Sequence, residues 1–395
     1  MINRRVFVVV IDSLGVGWEE NSHLYGDEGA NTLSHIFSAT NGEYKIPNLQ
    51  SLGICNLTDV QGNPKVDNPK AYYLKLQEKS VGKDTMTGHW EIMGVHTTAP
   101  SVTFTETGFP QDLIDELESK TGHKFIGNYA ASGTEIIKEL GERQLETKEM
   151  IIYTSADSVL QIAASEELYG IDEIYRVCSI AREICSSKPE WMVGRIIARP
   201  FIGSNKDEFK RTANRHDYAL SPSDETVLDS MKEAGYDVIS IGKINDIFNT
   251  CGITRAIKSR SSHEGMLQTI DIAKEDFNGI CFTNLVDFDA LWGHRRNPKG
   301  YAKELVDFDS LLSELINNLR QDDILYITAD HGNDPTWTGS DHTREFIPCL
   351  VYSKSFKEPK QLRQGSSFAD IGATIAEQFN VKAPKIGESF NDLLK

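Results

Sequence analysis

The chain is short of cysteine, of basic residues and of long apolar runs. It has six cysteines among 395 residues, and no two are spaced C-x-x-C. Zinc ribbons and thioredoxin-like redox motifs are therefore excluded. Scattered thiols in a chain of this size fit the reduced, partly buried side chains of a cytoplasmic protein. Lys and Arg number 41 against 58 Asp and Glu, a net charge of −17. A surface this acidic repels polyanions, so nucleic acid and membrane are not expected partners. Anionic small molecules stay open, because a few cations inside a cleft reverse the local sign. No apolar run approaches the ~18 residues of a membrane helix. The opening run Val6–Ile11 is halted by Asp12 and has no small-residue cleavage site, so it predicts a core strand rather than a signal peptide. No repeat or low-complexity tract is present, and an acidic surface without an evident apolar patch predicts a monomer.

What is present is an alternation of strand and helix patterns. Val6–Ile11, Asp237–Gly242, Gly279–Leu285 and Ile324–Thr328 are short, apolar and rich in β-branched residues, as suits strands covered on both faces. Helical patterns lie between and after them at Ser221–Ala234, Gly300–Arg320 and Phe368–Phe379. The predicted fold class is α/β, a central mostly parallel sheet flanked by helices. The middle of the chain has its own elements: helices at Gln111–Thr121, Thr134–Leu140 and Asp172–Cys185, extended segments at Met150–Thr154 and Trp191–Ala198. Turn formers at Pro100–Pro110 and Arg215–Pro222 bracket this region. A discontinuous core of 1–98 and 218–395, with a smaller α/β domain of 99–217 inserted, is expected.

The informative pattern is where strands stop. Val8–Ile11 runs into Asp12, Phe282–Val286 into Asp287 and Asp289, and Leu325–Ala329 into Asp330 and His331. Ligands of open parallel sheets bind at the carboxyl ends of strands, so these acids share one edge. One such Asp is commonly a helix N-cap. Three, with His294, His331 and His342 close behind, favour a metal site, because clustered carboxylates repel unless a cation sits among them. Three Asp and three His exceed what one tetrahedral ion takes, so two divalent ions about 3.5–4 Å apart are natural. Imidazole ligands favour manganese or zinc over calcium or magnesium. The chemistry implied is phosphoryl transfer or hydrolysis. Gly82–Gly94 carries Thr85 and Thr87, either of which could serve as nucleophile or simply open a helix.

These motifs together resemble phosphopentomutases of the bacterial type, within the alkaline phosphatase superfamily. The resemblance runs through Val8–Gly15, Gly82–Gly94, Tyr153–Ser158, Asn284–Arg296, Thr328–Asp334 and Thr343–Glu345. It implies an alkaline-phosphatase-like core and a phosphothreonine at Thr85. It further implies one ion on Asp12, Asp330 and His331, and a second on Asp289, His294 and His342, with Asp287 a neighbour and Thr87 a supporting hydroxyl. Manganese is the implied metal. The implied reaction is an isomerase reaction, interconverting ribose 1-phosphate and ribose 5-phosphate and the 2-deoxyribose pair in nucleoside breakdown and salvage. Glucose 1,6-bisphosphate or a similar sugar bisphosphate is the implied activator. A phosphomonoesterase or a phosphoglycerate mutase on the same core would fit the metal set equally well.

The inserted region carries a local basic excess, seven Lys or Arg against four Asp or Glu between Lys188 and Asp217. Arginine forks suit bidentate phosphate contacts. The resemblance points to Arg195 and Arg211 for the distal phosphate, to Ser155 and Asp157 for the sugar, and to Lys243 for a further contact from the core. A lid that excludes water would protect a phosphothreonine from hydrolysis, so hinge motion of the inserted domain is expected.

Overall fold

The computed structural model describes residues 4–99, 102–155 and 158–395. The strands are β1 (Arg5–Ile11), β2 (Tyr72–Leu76), β3 (Phe125–Ala130), β4 (Met150–Thr154), β5 (Val159–Ser165), β6 (Arg195–Ile202), β7 (Lys210–Arg211), β8 (His216–Ala219), β9 (Asp237–Ile241), β10 (Arg255–Ile257), β11 (Gly279–Leu285), β12 (Ile324–Thr328) and β13 (Ile347–Tyr352). The chain divides into two compact units, Met1–Thr98 with Ser221–Lys395, and Ala99–Leu220.

The first unit is built on a seven-stranded sheet of order β10-β9-β11-β1-β12-β13-β2. β10, β9, β11, β1 and β12 run parallel, whereas β13 is antiparallel to both β12 and β2. Every residue of β1 and β11 is buried, which is why these strands read as largely apolar runs. The topology determines where the chemistry goes. β1, β9, β11 and β12 all end at one edge, β13 begins there, and β2 leaves there toward Thr85. In register, Ile11 faces Leu285 and Val10 faces Thr328, so Asp12 emerges between the ends of its two neighbours.

The second unit has a mixed sheet of order β3-β4-β5-β6-β7, with β8 also on β6. Alternation along β4 sends Met150 and Ile152 into one apolar cluster, with Leu113, Leu160, Ile162, Val177 and Ile196. Ile151 and Tyr153 go into another, with Ile126, Ile136, Ala163 and Phe201. Helices Gln111–Thr121, Gly133–Thr147 and Ile171–Ser186 supply the covering side chains.

Several element boundaries differ from expectation. The Thr134–Leu140 pattern belongs to a longer helix that continues to Thr147. The segment from Trp191 is extended only from Arg195, because a single helical turn occupies Pro189–Trp191. The helix expected from Ser221 starts at Val227, where Thr226 and Asp229 form a reciprocal capping box.

Candidate active site

Thr85 is placed by a helix start. Asp84 is extended, and its carboxylate accepts from the Thr87 amide at 3.1 Å and the Thr87 hydroxyl at 2.7 Å. The helix Thr85–Ile92 therefore begins with Thr85 as its first residue, and Thr87 is occupied by Asp84. Gly88 lets this helix lie against the end of β12, since a Cβ there would stand 1.9 Å from the Asp330 carbonyl oxygen. The approach brings the Thr85 hydroxyl to 3.2 Å from His331 Nε2.

Two groups of oxygen and nitrogen atoms converge at this edge. Asp12, Asp330 and His331 form one, all buried, and Asp289, His331 and His342 form the other. His331 Nε2 lies 3.4 Å from Asp12 Oδ1 and 3.4 Å from Asp330 Oδ2, and its ring stacks on His342 at 3.9 Å. His294 Nε2 is 3.0 Å from Asp289 Oδ2 and 3.0 Å from His342 Nε2. The structure thus brings Thr85 and all six expected ligand residues together, with His331 shared between the two groups and His294 at the more exposed margin. Asp289 reaches the site from a single π-helical turn, Phe288–Gly293, rather than from a strand end. Asp287 turns elsewhere: its carboxylate accepts from the Ser262 amide at 2.7 Å, at the start of the preceding helix, Ser262–Lys274.

The tautomers follow from the partners. His294 Nδ1 faces the Ser340 carbonyl at 2.8 Å, His331 Nδ1 that of Gly332 at 3.1 Å, and His342 Nδ1 that of Lys83 at 2.6 Å. A carbonyl only accepts, so each Nδ1 carries a hydrogen, and each ring turns its Nε2 toward the carboxylates, the atom a metal ion would use. Three carboxylates, Asp12, Asp289 and Asp330, buried within reach of one another call for cations between them. Asp12 Oδ1 fits this, being buried without a hydrogen-bond partner among the described residues. Burial, then the Asp330 and Asp289 charges, push the Asp12 carboxyl well above the usual carboxylate range. Burial also opposes the charges of Asp289 and Asp330, but neighbouring histidines outweigh it and hold both carboxyls down. The donor set fits divalent metal ions.

Sequence reasoning did not single out the groups around these ligands. Asn284 donates to Asp12 Oδ2 at 2.8 Å, and Asn333 donates to Asp289 Oδ1 at 2.7 Å. His89, one turn after Thr85, meets the Thr85 carbonyl at 2.8 Å and Asp330 Oδ2 at 3.1 Å. Each lies inside a motif noted for other residues, and an amide beside a strand-end acid was the available signal.

Lys243 is exposed at the same sheet edge, after β9. Ser155, Arg195 and Arg211 belong to the second unit, and Asp157 lies outside the described residues. Ser155 follows β4, Arg195 opens β6 and Arg211 ends β7. Arg195 is 3.8 Å from Asp217, which Arg215 grips with two bonds of 2.7 Å. Arg199 bonds Gln161, and burial lowers its pKa, as do the nearby charges of Arg215 and Arg211.

Comparison with known proteins agrees with this geometry. A family model described as the metalloenzyme superfamily matches residues 4–383. A phosphopentomutase of Clostridium perfringens is 58% identical over 388 residues, covering 98% of each chain. One of Clostridium botulinum is 57% identical over 387 residues, 98% of this chain and 97% of the relative. Among solved structures, Leishmania mexicana phosphoglycerate mutase, crystallised at low cobalt concentration, aligns with a TM-score of 0.50 at 11% identity, over 98% of this chain and 97% of that one. That likeness concerns the fold, an alkaline-phosphatase-like α/β core. With its full length matched at such identity, this chain belongs to the phosphopentomutase family of the metalloenzyme superfamily.

Proposed function

We propose that this enzyme interconverts ribose 1-phosphate and ribose 5-phosphate, and the 2-deoxyribose pair, through a phosphothreonine at Thr85. The observation that carries this is the Thr85 hydroxyl, 3.2 Å from His331 Nε2 and beside two convergent ligand groups. Asp12, Asp330 and His331 would hold one divalent ion, and Asp289, His294 and His342 the second, with manganese the metal proposed. Bound there, the ions would neutralise the clustered carboxylates and polarise phosphate oxygens.

The chain's own groups supply the rest. Thr85 is the first residue of its helix, where free amides and the helix dipole favour a phosphoryl group. A sugar bisphosphate such as glucose 1,6-bisphosphate would charge Thr85 by donating one phosphoryl group to its oxygen. Phosphothreonine then passes that group to the C5 hydroxyl of the 1-phosphate, or in reverse to the C1 hydroxyl of the 5-phosphate, and Thr85 Oγ1 is freed. The other phosphoryl group of the resulting bisphosphate returns to Thr85 Oγ1, and the isomer leaves. Arg195 and Arg211, with Ser155, Asp157 and Lys243, are assigned to the pentose phosphate. The Ala99–Leu220 unit is assigned the role of an inserted cap domain. Such an activity belongs to cytoplasmic nucleoside catabolism and salvage, with a monomer as the working form.

The test is to incubate the protein with manganese, ribose 1-phosphate and a trace of glucose 1,6-bisphosphate, following ribose 5-phosphate and free phosphate together. The isomer without phosphate release is expected. Phosphate without isomer would make the protein a hydrolase and overturn the proposal.

A further inference from the structure

We propose that Arg296 and Asn333 form a positioning relay that sets the Asp289 carboxylate and the backbone presenting His294 and His342. Asn333 is fully buried, and both ends of its amide are engaged. Its oxygen accepts from Arg296 Nη1 at 2.5 Å, and its nitrogen donates to Asp289 Oδ1 at 2.7 Å. A guanidinium can only donate. Arg296 therefore dictates which way the amide points, and the amide in turn holds Oδ1 of Asp289. Oδ2 is left to face His294 Nε2 at 3.0 Å.

The same guanidinium ties three stretches of backbone. Nε donates to Gly339 O at 2.6 Å and Nη2 to Asp341 O at 2.9 Å, on the loop that leads into His342. Nη1 also reaches Gly293 O at 3.2 Å, next to His294, and Asp334 O at 3.0 Å. Arg296 itself sits at φ 51°, in the left-handed region, which a non-glycine residue adopts only when its surroundings require it. Gly293 packs so closely that a Cβ would stand 2.8 Å from Asn333 Nδ2. The planar fork, rather than the positive charge, is what this place uses, because an ammonium on a flexible stem cannot serve acceptors on several sides at fixed geometry. The relay rests on the two-ion reading proposed above and adds that one of the two ligand groups depends on it.

The test uses manganese-loaded wild type, Arg296→Lys and Asn333→Leu. Each is challenged with graded chelator, and the metal left per chain is read by elemental emission. Melting temperature after full chelation is read alongside. Wild type is expected to hold two ions. Both variants should keep one ion as firmly as wild type and lose the other at about tenfold less chelator, with little change in the metal-free melting temperature. Two ions held as in wild type would overturn the relay. So would equal weakening of both ions with a fallen metal-free melting temperature, which is the mark of a merely structural role. Should Arg296→Lys fail to fold, Asn333→Leu decides alone. A wild type that binds one ion overturns the two-ion reading instead. The relay then stands or falls on whether Asn333→Leu weakens that ion without lowering the metal-free melting temperature.

Discussion

Both units are acidic overall, yet each concentrates a local excess of charge, carboxylates in the first and arginines in the second, and treats it differently. In the first unit Asp12, Asp289 and Asp330 are buried within reach of one another, and Asp12 is pushed toward the neutral form. In the second unit Arg195 and Arg215 share one carboxylate, Asp217, and their side chains are about half exposed. Water screens an exposed imbalance, so the arginines need no permanent partner. A buried imbalance has no such relief and demands a resident counter-charge. On the function proposed above, the first excess is a standing cation site and the second a site for a transient anion.

The largest effect that would break this contrast is on Thr85. Thr85→Ala should lower mutase turnover by ~10³-fold or more, since no other hydroxyl shares its place, while the bound metal stays. Rapid quench with labelled bisphosphate checks that the label no longer stays on the protein. Next is the carboxylate cluster itself. Chelation should abolish turnover, and manganese should restore it. Asp12→Asn should bind metal poorly and yet, free of metal, melt higher than metal-free wild type. The expected gain is about 1–2 kcal/mol, because a neutral isostere removes a buried repulsion. Calorimetry in chelator reads this directly, and a lower melting temperature would mean that the acids are balanced without an ion.

Arginine removal sharpens the other half of the comparison. Arg211→Ala and Arg195→Ala should each raise KM for the pentose phosphate by about tenfold with metal content unchanged, as befits loss of a phosphate contact. The smallest effect concerns Glu173, whose carboxyl the Arg176 hydrogen bonds hold down to about 2, below the 4.5 of an unperturbed glutamate. A depressed folded pKa adds stability above pH 4.5 that is lost as pH falls toward 2. This pair is largely exposed, so Arg176→Ala should remove only about 0.5 kcal/mol of that acid-sensitive stability. Urea melts at pH 6 and pH 3 would show the difference between variant and wild type shrinking in acid.

Much of the first unit's architecture is legible in local pattern. β1, β9, β11 and β12 are largely apolar and almost entirely buried, and in β1, β11 and β12 an Asp follows within two residues. β13 escapes such reading because Pro348 interrupts it, and proline lacks the amide a ladder needs. The acids and histidines stand out by type and spacing. Their partners do not: Asn284, Asn333 and His89 are ordinary residues until folding puts them against a carboxylate, and Arg296 until folding puts it against Asn333.

The sequence by itself determined the chemical inventory and the strand alternation, because hydropathy period and residue type act over a few neighbours. It left open whether Thr85 or Thr87 opens a helix, and the contacts of Asp84 with Thr87 decided that the helix begins at Thr85. Only the tertiary structure decided which lone pairs meet. The tautomers of His294, His331 and His342 depend on carbonyls of Ser340, Gly332 and Lys83. Whether an Asp beyond a strand joins a cluster of possible metal ligands or caps a helix, as Asp289 and Asp287 respectively illustrate, depends on which groups the fold turns toward it. Hydrogen-bond direction and burial are properties of three-dimensional neighbourhoods, and no local pattern contains them.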